Sequence, residues 1–469
     1  MQLESPGPQA SPNGNVQSSG LRAMFSAFEI RPFRWVWTAA LSGNSGRFAV
    51  VFVAGWDAYR LGHHSSLWPS AVSMLLLVPS MFLGLIAGSI ADRRNRARMA
   101  ATGQLINALS CIIAFAFTLV HRLDLAELLV LTAAIGVGNS IQAPAWQAMI
   151  PDLVGRDRLM NASMTARIAQ QGAELTGPAL ATIVLTTMGL GAAFLTCAAL
   201  YLIGMVMFFR VRHRVTAPKL PPERLRVTKQ VRDGLSYVSE QRPLGTLLIW
   251  VGLHCSLTMA SIGILPAVAT TNLHGNASAY GLLLTAFGLG SVVGPLVMMA
   301  LGRRHRIITI LLVSGVLSGL PLITLGLVHE VVVDVLSSAL AGAAQAVFMA
   351  GIYSANQGVS RDSMRGRVAS VQLSLTTGAM GLASIGWGAL VAYISPGITL
   401  AAPGAIFIVT CIPFVLRRRT IASALYDRTP REASSIQQGA STPSPSDLED
   451  TKHPHARSEA PTSLAKKDN

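Results

Sequence analysis

The chain has 469 residues, of which 51% are hydrophobic and only 13% are charged, and its mean hydropathy is +0.48. A soluble domain needs more charge to cover its surface, so this composition excludes the soluble classes and indicates a protein embedded in lipid. The net charge of +15 does not indicate a nucleic-acid partner, because the basic residues fall in short clusters between apolar spans and not on one domain face.

The first 24 residues are rich in Ser, Pro, Gly and Gln and contain no apolar core. They do not have the pattern of a removable signal peptide, so we expect the first span to act as the insertion signal. Residues 1–30 are predicted to be a disordered cytoplasmic segment.

About twelve apolar runs follow, each near the roughly 20 residues that a helix needs to cross a bilayer core. Polar residues interrupt the first run and the seventh more than the others. The predicted spans are 35–60, 67–89, 99–120, 125–149, 161–187, 190–210, 243–268, 278–300, 306–327, 331–355, 366–392 and 396–416.

The loops between these spans alternate between basic and nearly uncharged. The positive-inside rule therefore places the basic loops, and with them both termini, in the cytoplasm. An even number of spans agrees with that orientation. The basic set contains 92–98, Arg156 and Arg158, 210–232, 302–306, Arg361 with Arg365 and Arg367, and 417–419.

One long charged loop, 211–242, divides the spans six and six. The halves 31–210 and 243–419 also resemble each other: each contains a His-bearing outer loop, a glycine-spaced span and a tight basic turn, about 210 residues apart. The predicted fold class is therefore an all-α polytopic membrane protein with twelve transmembrane helices in two six-helix pseudo-symmetric halves. Such repeats are typical of secondary transporters that bind substrate near the midplane between the halves. The tail 420–469, rich in Ser, Pro, Lys and Glu, is predicted to be disordered and cytoplasmic.

The turn "GSIADRRNRAR", 88–98, carries the most specific motif. Gly84 and Gly88, four residues apart, let another helix approach the inner end of the second span. Asp92 can cap a facing helix or pair with an arginine, and so act as a conformational latch. The alternative is a topology anchor, which the arginines of the turn provide in any case.

Here the sequence resembles the major facilitator superfamily, whose loop between spans two and three carries G-x-L-A-D-R-x-G-R-R. Asn95 stands where the family has glycine, an exchange that we expect because both residues tolerate a positive φ. The second-half copy "MALGRRHR" has no acid, so the latch is expected in one half only. The matching residues are Gly88, Ile90, Ala91, Asp92, Arg93 and Arg96.

The resemblance extends over all twelve spans and implies the major facilitator fold. It is nearest to the branch of bacterial exporters with enterobactin-exporter-like and macrolide-efflux-like proteins, through the first span, the segment 139–162 and "GPAL" in the fifth span. Gly177 and Pro178 match the exporter-associated G-P of that span, stretched by one residue, and are predicted to form a hinge and packing feature.

Few ionisable residues fall inside the predicted spans, and each is costly there. Arg47 lies roughly 18 Å from the cytoplasmic start of its span and Glu174 about 20 Å, from a helical rise of about 1.5 Å per residue. The two are therefore expected near mid-membrane, either as a protonatable pair that faces the cavity or as a static ion pair inside the first half. His254 lies at comparable depth in the second half, either as a buried neutral histidine that is hydrogen-bonded to a neighbour or as a proton carrier.

Polar residues at mid-membrane depth are the candidates for substrate contact. Spans one, four, seven and ten line the cavity in the family, so the resemblance favours Asn44, Gln142 and Gln345, with helix–helix hydrogen bonding as the alternative. Two departures from the family bear on coupling: Asn44 replaces an acid that related exporters often have, and the arginine of drug/proton antiporters is absent from span four. Arg47 and Glu174 are the expected substitutes.

The sequence contains no phosphate-binding loop, no zinc-like His/Cys spacing and no Ser/His/Asp set in a loop, so we expect no enzyme, no cofactor and no metal. The four cysteines lie in apolar segments and are expected to be packing residues. We predict a proton-coupled exporter of a small organic molecule, siderophore-like or antibiotic-like, which works as a monomer in the cell membrane. The alternatives are a nutrient importer or facilitator on the same fold, and a non-transporting membrane sensor.

Overall fold

The computed structural model of the chain describes residues 26–91, 94–215, 227–271, 273, 275–301, 307–361 and 364–416. Nearly all of these residues lie in helices, and the described part of the chain contains no β-strand. The predicted all-α fold class is therefore confirmed. The predicted terminal segments, apart from residues 26–30, lie outside the described residues.

The first half consists of six spans that agree with the predicted ones. The stretch Leu125–Val211 is continuous except at Gly155 and Gly189, whose φ angles of 73° and 86° end one helix and start the next. Glycine adopts such angles without steric cost, so each turn needs very few residues. The spans are α1 (Arg31–Leu61), α2 (Leu67–Ala91), α3 (Arg96–Leu119), α4 (125–154), α5 (156–188) and α6 (190–211).

The second half also contains six spans, and the first of them is irregular. This span, α7 (Arg242–Thr271), is a regular helix to His254, then widens into a π turn at Cys255–Met259 and tightens into a 3₁₀ turn at Ala260–Ile264. The others are α8 (Ala277–Leu301), α9 (Ile307–Leu327), α10 (Val331–Val359), α11 (Arg365–Leu390) and α12 (Pro396–Leu416).

Ten helical stretches of the described residues are long and apolar enough to cross a membrane. One of them, Arg158–Val211, is 54 residues long and contains two spans, because the chain turns at Gly189. α1 is more polar than these ten, as expected from its interrupted apolar pattern. Together they account for the twelve predicted spans.

The central loop 211–242 contains a helix that the sequence analysis did not predict. This linker helix, Val227–Glu240, packs on the inner end of α11: Gly234 lies against Val371, and Asp233 forms an ion pair with Arg367 at 3.6 Å. The Tyr237 hydroxyl also accepts a hydrogen bond from the Arg361 amide at 3.2 Å. Prolines and charges indicated a loop here, and the amphipathic pattern between them was missed.

The two halves meet along two pairs of helices, α2 with α11 and α5 with α8. At the outer end of the first pair, Gly388 packs on Ser70, and the Ser384 hydroxyl donates to the Ser70 carbonyl at 3.1 Å. At the outer end of the second pair, Gly281 packs on Thr182. These contacts, on the side away from the basic turns, close the outer ends of the two halves against each other.

On the inner side, Arg167 of α5 lies over the ring of Tyr353 of α10, 4.7 Å from its centroid. A cation over an aromatic face is attracted by the ring quadrupole, and the attraction grows when water is excluded. This contact links the two halves on the side of the basic turns, and the partner of the arginine is an aromatic ring and not an acid.

Candidate functional site

Arg47 lies in the middle of α1 and interacts electrostatically with two groups on neighbouring helices of the first half. These groups are Tyr201 on α6 and Glu174 on α5. Its guanidinium also lies 5.2 Å from the ring centroid of Phe48. Both charged residues were predicted near mid-membrane, and the structure brings them close enough to interact.

Glu174 lies where α5 contacts the other half, and not only inside the first half as the static-pair alternative implied. A Cβ added to Gly288 of α8 would lie 2.6 Å from the Leu175 Cα and nearer still to the Glu174 carbonyl oxygen, so the two backbones touch here. The Ser291 hydroxyl is close to the Glu174 carboxyl group. Glu174 and Arg47, both described in the structure, do not form a direct ion pair. The acid therefore lies between its arginine and the second half.

The contact between α5 and α8 has a second polar member. Gln171, one turn before Glu174, donates from Nε2 to the Ser291 carbonyl oxygen at 3.2 Å. A side-chain donor of the first half thus bonds to the backbone of the second. Separation of α5 and α8 at this level lengthens that hydrogen bond and, beyond hydrogen-bonding distance, breaks it.

Four buried polar side chains of the first half form a group that we call the buried polar cluster: Gln104 and Asn107 of α3, Asn139 of α4 and Tyr201 of α6. Glycines make room for it. The Gln104 amide lies over Gly43 of α1 and Gly204 of α6, where a Cβ would collide with it. Likewise, the Tyr201 ring packs on Gly46.

Hydrogen bonds satisfy this cluster only in part. Asn107 Nδ2 donates to Asn139 Oδ1 at 2.9 Å, and the Tyr201 hydroxyl lies beside Asn139. This cluster was not predicted from the sequence, although amides three residues apart recur on spans three and four. Among the described residues, buried atoms without a hydrogen-bond partner include Gln104 Oε1 and Nε2, Asn107 Oδ1, Asn139 Nδ2 and Tyr201 Oη.

The structure places the predicted substrate contacts inside helix packing. Asn44 is 7% exposed and donates from Nδ2 to the Ala40 carbonyl of its own helix at 2.7 Å. Gln142 is buried against Gly103 of α3, and Gln345 of α10 is buried too. One amide atom of each glutamine has no partner among the described residues. A role for the three in substrate contact stays a prediction.

His254 is fully buried inside the second half and does not join Arg47 and Glu174. Its ring stacks on Phe348 at a centroid distance of 4.2 Å and meets Phe407 edge-on at 5.0 Å. The expected hydrogen bond to a neighbour is missing, because neither ring nitrogen has a partner among the described residues. The side chain instead occupies an aromatic cluster at the start of the π turn.

The basic turn after α2 is described in part. Asp92 and Arg93 lie outside the described residues, and Gly88 lies in the last turns of α2. Arg96 binds the end of α4, donating to the Ala148 carbonyl at 3.0 Å and to the Asp152 carboxylate. The motif thus ties the start of α3 to α4.

The explanation of Asn95 by a positive φ is wrong. Its φ is −65° and its ψ 110°, an extended geometry, and its side chain accepts from the Arg98 amide as the N-cap of α3. Its Nδ2 donates to the carbonyl oxygens of Arg212 and Val215 at 2.8 and 2.7 Å. Glycine could make neither interaction, so the asparagine joins α3 to the chain after α6.

Gly177 provides the close packing that was predicted for it. A Cβ there would collide with the Ser45 carbonyl oxygen and lie 3.0 Å from the Ala49 nitrogen of α1. The helix continues through Pro178, since the non-helical residues of this stretch are Gly155 and Gly189. The hinge role of the pair stays a prediction.

Among the residues that the structure describes, twelve membrane-spanning helices in two halves, with Glu174 at the contact between them, define a membrane transporter of the major facilitator type. The chain belongs to that superfamily and, within it, to the transmembrane secretion effector family, whose model matches residues 22–436. This confirms the resemblance found in the sequence.

Two relatives and one solved structure illustrate the match. The staphyloferrin A transporter of Staphylococcus aureus is 23% identical over 286 residues, covering 60% of this chain and 70% of that protein. The enterobactin exporter of Citrobacter koseri is 28% identical over 332 residues, covering 68% and 77%. A POT family transporter in complex with 5-aminolevulinic acid has a TM-score of 0.68 at 12% identity over 84% of this chain and 97% of that one, which shows the shared fold.

Proposed function

We propose that the protein is a proton-coupled exporter that carries a siderophore-like organic molecule out of the cell by alternating access. The family and the two relatives, which by name transport staphyloferrin A and enterobactin, support the substrate class. The protein is proposed to act as a monomer in the inner membrane, with both termini in the cytoplasm, as the positive-inside rule predicts.

The observation that carries the proposal is the position of Glu174. It is an acid at the contact between the halves, beside the backbone of α8, and it interacts with Arg47 of α1. A charge inside the bilayer is costly unless it is paired, so the protonation state of Glu174 and its pairing with Arg47 are linked. Because α5 and α8 touch at this level, protonation of Glu174 changes the charge at the surface along which the two halves must separate.

In the proposed cycle, ionised Glu174 is held by Arg47 and neutral Glu174 is not. The two states therefore differ in the charge that faces the contact between α5 and α8. A proton taken up on the outer side and released on the inner side can then drive the outward movement of the substrate. Ligands shift such an equilibrium only through a difference in affinity for its two states.

Everted membrane vesicles that contain the protein test this function, with enterobactin as the probe. Enterobactin uptake into the vesicles, accompanied by proton release from their interior, is the expected result. Glu174→Gln is expected to abolish the proton movement, whereas Glu330→Gln, an exposed acid at the outer end of α10, should leave it unchanged.

Two outcomes would contradict the proposal. Coupled proton movement that persists in Glu174→Gln removes the role of Glu174. Enterobactin accumulation by intact cells that make the protein, beyond that of cells without it, favours an importer or facilitator instead.

A further inference from the structure

The buried polar cluster lies inside the first half, whereas Glu174 lies at the contact between the halves. Tyr201, one of its members, interacts electrostatically with Arg47, as Glu174 does. Gly46, the residue before Arg47, packs directly on the Tyr201 ring. Arg47 therefore interacts both with an acid at the contact between the halves and with a member of the cluster.

The cluster spans three helices, and a fourth, α1, packs against it. Gly43 and Gly46, three residues apart on α1, face Gln104 and Tyr201. The bond between Asn107 and Asn139 then joins α3 to α4. These helices belong to one half, so the cluster does not depend on how the halves are placed relative to each other.

Its unused hydrogen-bonding capacity suits a guanidinium group. A buried polar atom that lacks a partner costs roughly 1–3 kcal/mol, so such atoms are rarely gathered in one place without a use. The cluster offers acceptors at Gln104 Oε1, Asn107 Oδ1 and Tyr201 Oη. Arginine carries five N–H donors and no acceptor.

We infer that the buried polar cluster is the alternative binding position of the Arg47 side chain, which Arg47 occupies when Glu174 is neutral. This inference rests on the proposed function, in which Glu174 carries the proton. One proton binds the Glu174 carboxylate, the guanidinium keeps its charge, and its donors exchange the carboxylate for Tyr201 and the two amides. Tyr201, Asn107 and Gln104 are thus positioning residues, which act on the proton carrier through Arg47.

Few other ionisable groups surround this path. On the cluster side, the thiols of Cys111 and Cys197 lie near Tyr201. On the other side, α8 contributes the neutral hydroxyl of Ser291. Among these described groups, Arg47 is the cation that can respond to a charge on Glu174.

Infrared difference spectroscopy of the full chain in lipid bilayers tests the inference without any substrate. A step in pH should produce the band of a protonated carboxyl group, which Glu174→Gln removes. The same step should shift a tyrosine ring band that Tyr201→Phe removes and that Tyr280→Phe, a buried tyrosine outside the cluster, retains. In Glu174→Gln the tyrosine shift should be lost as well.

The variants also make a quantitative prediction. A hydrogen bond to a charged group is worth about tenfold in an equilibrium. Without the Tyr201 hydroxyl, Arg47 favours its place beside ionised Glu174, so the pH at which the carboxyl band is half formed should fall by about one unit. Asn107→Leu, which removes the acceptor Asn107 Oδ1, should lower that pH as well and serves as a second, independent variant.

Three results would overturn the inference. In the first, the carboxyl band of Glu174 forms with falling pH while the Tyr201 band stays constant. That result overturns the inference but leaves the proposed function intact. A Tyr201 shift that persists in Glu174→Gln does the same. If no carboxyl band of Glu174 forms across the accessible pH range, the inference and the proton-carrying role of Glu174 both fail.

Discussion

Gly288→Ala should drive apart the two halves of the transporter at mid-membrane. The added Cβ would lie 2.6 Å from the Leu175 Cα and nearer still to the Glu174 carbonyl oxygen, whereas ordinary contact begins at 3.4 Å. Both neighbours are backbone atoms, which no rotamer change can move. The helices α5 and α8 must therefore separate by about 0.8 Å or more at this level.

Overpacking of this kind costs roughly 1–3 kcal/mol, which corresponds to about 5- to 150-fold in an equilibrium between two conformations. The strain acts on the conformation in which the outer ends are closed, because that conformation contains the contact. Gly288→Ala should thus raise the population of conformations with separated outer ends by a factor in that range.

A single cysteine at Thr182, which packs against Gly281 at the outer interface, reports that population in a background without the four native cysteines. A membrane-impermeant maleimide added from outside should label it faster in Gly288→Ala than in the parent. Gly386→Ala is the matched control, because no heavy atom lies within 4 Å of a Cβ added there. Equal labelling rates in parent, control and variant would refute the reasoning.

Three further variants test packing and capping. Asn95→Ala should lower the free energy of unfolding by about 1–3 kcal/mol through loss of a helix cap and two hydrogen bonds, and Asn95→Asp, which keeps the cap, should restore only part of it, as thermal unfolding in detergent can measure. Gly177→Ala should lower the melting temperature of the purified protein, while Gly172→Ala should not, since a Cβ there meets its nearest atom at 3.7 Å. His254→Phe should keep both the melting temperature and transport, because the ring packs among aromatic side chains; loss of transport in a stable protein would instead favour a proton carrier.

The span count could be read from the sequence because lipid imposes a fixed length on every helix that crosses it. The depth of Arg47 and Glu174 followed from the same regularity, since helical rise converts residue number into distance. Neither the length of a span nor the helical rise gives the direction in which a side chain points around its helix. For that reason the contact of α5 with α8 at Glu174, and the burial of Asn44 in its own span, were not predicted.

Local backbone details were also beyond the sequence argument. The similarity of asparagine and glycine at positive φ was applied to Asn95, but its side chain caps α3 and also donates to two carbonyl groups more than a hundred residues away. The buried polar cluster had a visible signal, amides three residues apart on two spans. The amides can form a cluster only because glycines of α1 and α6 leave space for them. Those glycines are identified by the packing of the four helices.

The single-residue turns at Gly155 and Gly189 have a kinetic consequence. Closing a short loop costs little chain entropy, so we expect α4, α5 and α6 to pack against one another soon after they insert into the membrane. In native-state hydrogen exchange these three helices should open and close as one cooperative unit. The π and 3₁₀ turns of α7 interrupt the regular hydrogen-bond ladder at 255–264, so amides there should exchange with solvent deuterium before those of that unit.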